Sequence, residues 1–254
     1  MIASLPMYDF GSLLEANDRL WALIRDNLRA EGIAAPEALD RSTADAWTVW
    51  ESPDLVLSQT CGYPLRTRLL DRVSLIGTPD YRVIGCPPGY YCSAIMVRED
   101  DERRSPEEFD GALMAYNDAM SQSGWAAPVN YAGELGIRFR AGPVTGGHRA
   151  SAIAVAQGRA DLAALDAVTQ RLLQREEPEI MEGLRVLAMT PATPGLPLIA
   201  AKSAPEYMTY ALVAGAIEAL TPEDRDTLGI HGLVQIEAEA YAEVPNPPSP
   251  DHFE

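Results

Sequence analysis

Apolar residues in the first part of the chain recur every three or four positions, which is the spacing of one face of a helix. Leu20, Ile24 and Leu28 share that face in the segment GSLLEANDRLWALIRDNLRAEG. Ser12 is positioned to cap the start of the helix, and Gly32 can adopt the left-handed conformation that ends it. The pattern therefore predicts an amphipathic helix close to the amino terminus.

Beyond this helix, short apolar runs alternate with helical stretches. The runs have the length and aliphatic composition of buried strands. The clearest are DLVLSQ at 54–59, VSLIGT at 73–78, YYCSAIMV at 90–97, LRVLAMTP at 184–191 and LPLIAAK at 196–202. Because strands that alternate with helices favour parallel sheets covered by helices, we predict an α/β protein.

Two breaks rich in proline and glycine, GCPPGYY at 85–91 and TPATPGLP at 190–197, flank the central segment. The chain would cross there between two lobes, with residues 1–86 and 195–254 in lobe 1 and residues 87–194 inserted as lobe 2. Open α/β sheets bind ligands beyond the carboxyl ends of their strands, so two lobes joined by two crossing strands should enclose a ligand cleft. The proline-rich last ten residues are expected to lie over the surface without regular structure.

A hydroxyl-rich turn, NDAMSQSGWAAP at 117–128, stands where a loop passes into a helix. If Ser123 or Gly124 begins that helix, the amides of the first turn point outward and the helix dipole adds about half a positive charge there. Ser121, Gln122 and Ser123 add neutral hydrogen-bond donors. Such a turn can bind an anion without a cationic side chain. Alternatively, one of the serines only caps the helix.

Four further residues occupy positions that suit a ligand site. His148 begins the helix HRASAIAVAQG directly after the turn TGG, although a single histidine can also be structural. Tyr8 ends the first strand, while Ser58 and Gln59 end the strand DLVLSQ. Tyr8, Ser58 and Gln59 therefore lie at strand ends, where α/β sheets bind ligands. Tyr8 could equally pack in the core.

Composition removes several classes of function. The chain of 254 residues has 37 acidic and 20 basic residues and a formal net charge of -17, so nucleic acid and anionic membranes are poor partners. The common nucleophile, phosphate-loop, dinucleotide and metal motifs are absent, so we expect neither cofactor nor metal. No apolar run reaches the roughly 18 to 20 residues of a membrane span. The start MIASLPMYDF lacks a signal peptide, which predicts a cytoplasmic protein, or a periplasmic one if a leader has been removed.

Four segments between Asp54 and Leu198 combine into a longer pattern. They are PGYYCSAIMV, the turn NDAMSQSGWAAP, the helix and strand GGHRASAIAVAQGRADLAALD, and TPATPGLPLI. In order and spacing they resemble the phosphonate and phosphite substrate-binding proteins of ABC importers. The resemblance implies the two-lobed periplasmic-binding protein type 2 fold, with the first and last segments at the crossings.

The resemblance also implies a set of ligand contacts. The residues at the positions that hold the oxyanion head of the ligand are Tyr90, Ser121, Gln122, Ser123 and His148. Family members that bind an aminoalkylphosphonate use two acids for its ammonium group, and Val168 and Leu196 stand at those positions here. Burying an ammonium ion without a carboxylate costs several kcal/mol. An aminoalkyl ligand is therefore excluded, unless Asp166 supplies the charge from another angle.

We therefore predict a binding protein for a small oxyanion, namely phosphate, phosphite or a phosphonate without an amine. It would act with an ABC transporter permease or as a cytoplasmic sensor. The alternative is a cleft enzyme of lyase or menaquinone-pathway type, which depends on fold analogy alone. A third hypothesis is a docking protein with an empty cleft. A titratable group of perturbed pKa in the cleft would favour the enzyme, and converging neutral donors would favour the binder.

Overall fold

The computed structural model describes residues 1–43 and 45–253 and divides into two compact units. Unit 1 comprises Met1–Tyr90 and Pro194–Ala242, and unit 2 comprises Tyr91–Thr193 together with the segment that begins at Glu243. The chain thus passes from one unit to the other twice in its central part, in short strands that pair with each other. The units divide between Tyr90 and Tyr91 and between Thr193 and Pro194, whereas the sequence placed the lobe boundaries after residues 86 and 194.

Strands and helices alternate along both units. The strands are β1 (Ile2–Ser4), β2 (Leu55–Gln59), β3 (Val73–Asp80), β4 (Tyr90–Tyr91), β5 (Ser93–Arg98), β6 (Leu113–Tyr116), β7 (Arg140–Val144), β8 (Leu162–Asp166), β9 (Leu184–Met189), β10 (Thr193–Pro194), β11 (Leu198–Ala201) and β12 (Gly232–Val234). The helices are α1 (Leu13–Ala30), α2 (Ala46–Trp50), α3 (Gly62–Pro64), α4 (Ala127–Glu134), α5 (His148–Ala156), α6 (Ala167–Glu176), α7 (Pro178–Met181), α8 (Glu206–Glu218), α9 (Pro222–Leu228) and α10 (Ala238–Ala242).

Tighter and wider helical turns supplement these elements. Pro6–Tyr8, Pro106–Phe109 and Pro250–Phe253 form 3-10 turns, whereas Leu65–Leu69 and Gln122–Ala126 form π-helical turns. Within the described ranges, the model contains no helix that is both long and apolar enough to span a bilayer.

Each unit contains a mixed sheet. In unit 1 the strand order is β1-β2-β11-β3-β12, with β1 parallel to β2 and β11 antiparallel to β2 and β3. In unit 2 the order is β7-β6-β8-β5-β9, with β6 parallel to β7 and β8, and β5 antiparallel to β8 and β9. The α/β prediction is confirmed, but the sheets are not purely parallel. The antiparallel strands β5 and β11 each follow a passage between the units, so they lack the helical crossover that makes neighbouring strands parallel.

Helix α1 buries the predicted face against the core of unit 1. Leu20, Ile24 and Leu28 are all buried, and the helix packs on α8 and α9. Ser12 is the N-cap residue, yet its side chain makes no capping hydrogen bond, because its backbone is already helical at φ -67° and ψ -16°. A capping side chain needs an extended backbone to reach the following amides.

The C-terminal segment differs from the prediction, which assigned residues 195–254 to lobe 1 and gave the end no regular structure. From Glu243 onward the chain belongs to unit 2, and it ends in a 3-10 turn. Trp125 Nε1 donates a hydrogen bond to the Pro248 carbonyl at 3.1 Å, and Asn130 Nδ2 donates to the Pro245 carbonyl at 2.9 Å. Proline lacks an amide donor but keeps its carbonyl acceptor, so side chains of another element can fix a proline-rich segment.

Candidate functional site

The hydroxyl-rich turn connects β6 to α4 and begins with a capping serine. Ser121 has an extended backbone, and its Oγ accepts a hydrogen bond from the Gly124 amide at 3.0 Å. The helical turn therefore begins at Gln122, earlier than the predicted start at Ser123 or Gly124, because Ser121 already supplies the cap. Gln122 itself is buried.

The turn continues directly into α4 as one helical segment. The amides of Trp125 and Ala126 both donate to the Ser121 carbonyl, at 3.2 and 3.0 Å. The Ser123 amide belongs to the first turn, where helix geometry provides no intrahelical acceptor. It therefore lies at the positive end of the helix dipole as a potential donor to an anion.

Ser123 also joins this turn to α5. Its Oγ lies 2.8 Å from Nε2 of His148, and its carbonyl accepts a hydrogen bond from Ser93 Oγ at 2.9 Å. Just before α5, the Thr145 amide donates to the Tyr116 carbonyl at the end of β6, at 2.9 Å. The structure thus brings Ser123 and His148, which are distant in the sequence, into direct contact.

The electrostatics at His148 are those of a neutral donor. Burial lowers the pKa of His148 to about 4, and the backbone of Ala164, which raises it, offsets this only in part. Nδ1 is buried and makes no well-formed hydrogen bond within the described part of the chain. The neighbouring Arg149 is paired with Glu177, with its Nε 2.8 Å from Oε1. Around neutral pH, the imidazole is therefore uncharged and carries a single N–H.

Gly124 is required by the close approach of Asn117. A Cβ placed on Gly124 would overlap sterically with Asn117 Oδ1 and would lie 3.3 Å from His148 Cε1. Asn117 Oδ1 is buried, and no hydrogen-bond partner for it is found among residues 1–43 and 45–253. Asn117, Gly124 and His148 are therefore packed without room for a further side chain.

Sequence reasoning did not select Asn117 or Ser93 as site residues. Asn117 had a usable signal, because it directly follows the buried strand LMAY, at the strand end where α/β sheets place ligand-binding groups. Ser93 had none, because its contact with Ser123 exists only in the tertiary structure.

Asp166 is a helix cap. It ends β8, and its Oδ1 accepts hydrogen bonds from the amides of Val168 at 2.6 Å and Thr169 at 3.2 Å. Capping α6 is sufficient to explain a buried acid at this position. Val168 and Leu196, the residues that the resemblance places at the two acid positions, are both buried. In the part of the chain that the structure describes, no cluster of His, Cys, Asp and Glu side chains could hold a metal ion.

The candidates in unit 1 take part in internal packing. Gln59 Nε2 donates to Tyr81 Oη at 3.2 Å and to the Leu196 carbonyl at 3.1 Å. Tyr8 packs edge-to-face on Tyr81, with ring centroids 5.0 Å apart. Ser58 is fully buried in β2. The structure therefore gathers Tyr8 and Gln59 around Tyr81, in contacts that serve the fold of unit 1.

Tyr90 stands at the first passage between the units. It begins β4, and its amide donates to the Pro87 carbonyl at 3.0 Å. Its half-buried ring packs against the core cluster of unit 1 that contains Val49 and Trp50. The backbone of the crossing thus holds the ring at one edge of unit 1.

Residues 72–241 match the family described as "ABC transporter, phosphonate, periplasmic substrate-binding protein". The chain belongs to this family. The matched segment covers more than half of the chain and includes the whole turn at 117–128 and His148. Family members are the substrate-binding components of ABC transporters. No curated protein matches the chain at significant similarity.

Solved structures with similar folds cover nearly the whole chain. PhnD1 from Prochlorococcus marinus (MIT 9301), in complex with methylphosphonate, has a TM-score of 0.70 at 16% identity, over 94% of each chain. XAC2383 from Xanthomonas citri, bound to ATP, has a TM-score of 0.69 at 14% identity, over 100% of this chain and 99% of its own. A binding protein component of an ABC phosphonate transporter from Pseudomonas aeruginosa has a TM-score of 0.60 at 16% identity, over 89% of this chain and 77% of its own. These similarities confirm the predicted periplasmic-binding protein type 2 fold.

Proposed function

We propose that this protein captures phosphate, phosphite or a phosphonate without an amine, and delivers it to an ABC permease in the periplasm. The observation that carries the proposal is the contact between Ser123 and His148 at the start of a helix. There, the Ser123 amide, the Ser123 hydroxyl and the His148 imidazole lie close together. A tetrahedral oxyanion needs several donors that converge on one small volume.

Neutral donors reconcile this role with a strongly acidic chain. The formal net charge is -17, and the arginine beside His148 is already paired with Glu177. Helix amides and hydroxyls act at short range, whereas the repulsion from distant surface carboxylates is screened beyond about 8 to 10 Å at physiological ionic strength. The local dipoles can therefore bind an anion although the molecule as a whole is acidic.

The residues in place of the two acids argue for a ligand without an amine. Val168 and Leu196 are buried and apolar, and Asp166 is engaged in capping α6. An ammonium group next to valine and leucine would lose its hydration without gaining a counter-ion. We therefore expect ligands such as phosphite or methylphosphonate rather than 2-aminoethylphosphonate.

The enzyme alternative would use Ser123 as a nucleophile and His148 as its base, since their separation of 2.8 Å suits proton transfer. A general base works best when its pKa is close to the working pH, whereas burial lowers the pKa of His148 to about 4. The pair is therefore better suited to donate to a bound anion than to abstract a proton.

A thermal-shift and calorimetry panel tests the proposal with phosphate, phosphite, methylphosphonate, sulfate and 2-aminoethylphosphonate. A ligand at one hundred times its Kd stabilises the folded state by about 2.7 kcal/mol. We expect that shift with at least one of phosphate, phosphite and methylphosphonate. If none of the five anions raises the Tm or gives heat of binding, the function is wrong. A shift with 2-aminoethylphosphonate alone would contradict the exclusion of amines.

The ligand cleft between the lobes and the cytoplasmic sensor role stay predictions. A periplasmic site of action is proposed from the description of the family. Comparing uptake of the identified anion by cells with and without the gene would separate transport from sensing, because only a transport component should change uptake directly.

A further inference from the structure

The buried Trp125 links the hydroxyl-rich turn to the C-terminal end of the chain. Its ring is 1% exposed and lies in the same π-helical turn as Gln122 and Ser123. The indole Nε1 donates to the Pro248 carbonyl at 3.1 Å. The ring also meets Phe253 edge-on, with centroids 5.5 Å apart. Both contacts come from residues 243–253, which we name the C-terminal strap.

The strap follows the helix that the turn begins. Asn130, one helical turn beyond Trp125, donates from Nδ2 to the Pro245 carbonyl at 2.9 Å. At the other end of the strap, the guanidinium of Arg138 lies over the Phe253 ring, 5.6 Å from its centroid. Contacts at the beginning, middle and end of the strap therefore fix it along the turn and α4.

Trp125 also contacts the strand that leads into the site. Its ring packs on Tyr116, with centroids 4.8 Å apart. Tyr116 directly precedes Asn117, and Asn117 lies against Gly124. The Tyr116 carbonyl accepts a hydrogen bond from the amide of Thr145, three residues before His148. Trp125 therefore packs between the strap and the end of β6. The end of β6 leads into Asn117 and is hydrogen-bonded to the segment that precedes His148.

We propose that Trp125 and the C-terminal strap are positioning elements that hold Ser123 in the orientation needed for anion binding. This inference rests on the proposed function. A π-helical turn is rare and needs support from its surroundings. Here, a buried indole supplies that support, and both the hydrogen bond of its N–H and one of its ring contacts depend on the strap. Without the strap, the indole would lose its acceptor, and the turn would shift to find another.

The test compares four variants with the unchanged full chain. Phe253→Ala removes the ring contact, Phe253→Tyr keeps it, and Trp125→Phe keeps an aromatic ring but removes the N–H donor. His252→Ala is the matched control, because His252 is exposed and its ring contacts only the Ser249 hydroxyl among the described interactions, at 3.1 Å. Two quantities are measured well below the Tm: the Kd for phosphite and methylphosphonate by calorimetry, and amide hydrogen exchange at residues 122–126.

We expect Phe253→Ala and Trp125→Phe to weaken anion binding and to accelerate exchange in the turn by about three- to tenfold, the range expected for losing one aromatic pair or hydrogen bond. Phe253→Tyr and His252→Ala should leave both unchanged. A lower Tm with unchanged Kd would overturn the inference, because the strap would then contribute stability only. If the unchanged chain binds neither of these anions and does not bind phosphate either, the proposed function fails, and exchange alone decides whether the strap holds the turn. In that case, unaltered amide exchange at residues 122–126 in Phe253→Ala would refute the role of the strap in holding the turn.

Discussion

Two groups of polar residues were selected from their positions, one at helix starts and the other at strand ends, and their hydrogen-bond partners in the structure differ. In unit 2, Ser121 and Ser123 lie at the start of one helical segment and His148 begins α5, so that the Ser123 hydroxyl and the His148 ring contact each other next to first-turn amides. Gln59 and Tyr8 lie at strand ends in unit 1. There, the side-chain amide of Gln59 donates its hydrogen bonds to the Tyr81 hydroxyl and the Leu196 carbonyl. Position at a helix start or a strand end thus selects polar residues, but it does not show whether their hydrogen-bonding groups are satisfied within the fold.

The difference follows from where each hydrogen-bonding group finds its partner. A helix start leaves first-turn amides without intrahelical acceptors, so it can accept an external anion. A side-chain amide in a sheet core must be satisfied from within, because a buried polar group without a partner is costly.

The pH dependence of stability should arise from the turn and not from the group in unit 1, which has no side chain that titrates between pH 4 and 7. Burial lowers the pKa of His148 to about 4 in the folded state, below its unfolded value of about 6.5. The unfolded chain therefore binds more protons, so stability falls as the pH drops from about 6.5 to about 4, by about 3 kcal/mol in all.

Urea unfolding at several pH values measures the unfolding free energy of the unchanged chain and of His148→Gln. In His148→Gln, the contribution of His148 to the pH dependence of that free energy should vanish. Asp40 and Asp101, whose pKa values hydrogen bonds lower to about 2, act in a separate window at lower pH. Equal slopes between pH 6.5 and 4 in both proteins would contradict the assignment to His148.

Gly124→Ala should disrupt the turn through steric overlap. The new methyl group would clash with Asn117 Oδ1, so the Asn117 side chain must move. We expect a loss of about 2 kcal/mol of stability and weaker anion binding. The matched control is Gly133→Ala in α4, where an added Cβ meets no atom within 4 Å and alanine favours the helix. Thermal unfolding and calorimetry of both variants decide; a Gly124→Ala protein as stable as Gly133→Ala would contradict the tight packing.

Single substitutions in the two groups should separate affinity from stability. Ser123→Ala removes a hydroxyl donor to a charged ligand and should weaken phosphite or methylphosphonate binding by about tenfold.

Gln59→Ala leaves Tyr81 Oη and the Leu196 carbonyl without their shared donor, so it should cost about 1 to 2 kcal/mol of stability with affinity unchanged. Calorimetry and denaturant unfolding are needed for each variant. If Gln59→Ala weakened anion binding and Ser123→Ala left it unchanged, the binding site would have to be assigned to unit 1 instead.

Much of the fold could be predicted from local patterns. The face of Leu20, Ile24 and Leu28 fixed α1, and the proline- and glycine-rich breaks fell close to both passages between the units. The strand directions could not be read in this way, because β5 and β11 pair with strands that are remote in the sequence. The strap was missed because prolines suggested an irregular end, although their carbonyls accept hydrogen bonds from Trp125 and Asn130.

Residue type, order and short spacing are enough to assign the α/β class, the family and the hydroxyl-rich turn from the sequence. The folded chain is needed to show that Ser121 caps the helix, that Ser123 contacts His148, and that Gln59 donates its hydrogen bonds within the core of unit 1. Whether a polar side chain is available to a ligand depends on which distant groups satisfy it. That balance of hydrogen bonds is set only when remote segments are packed together.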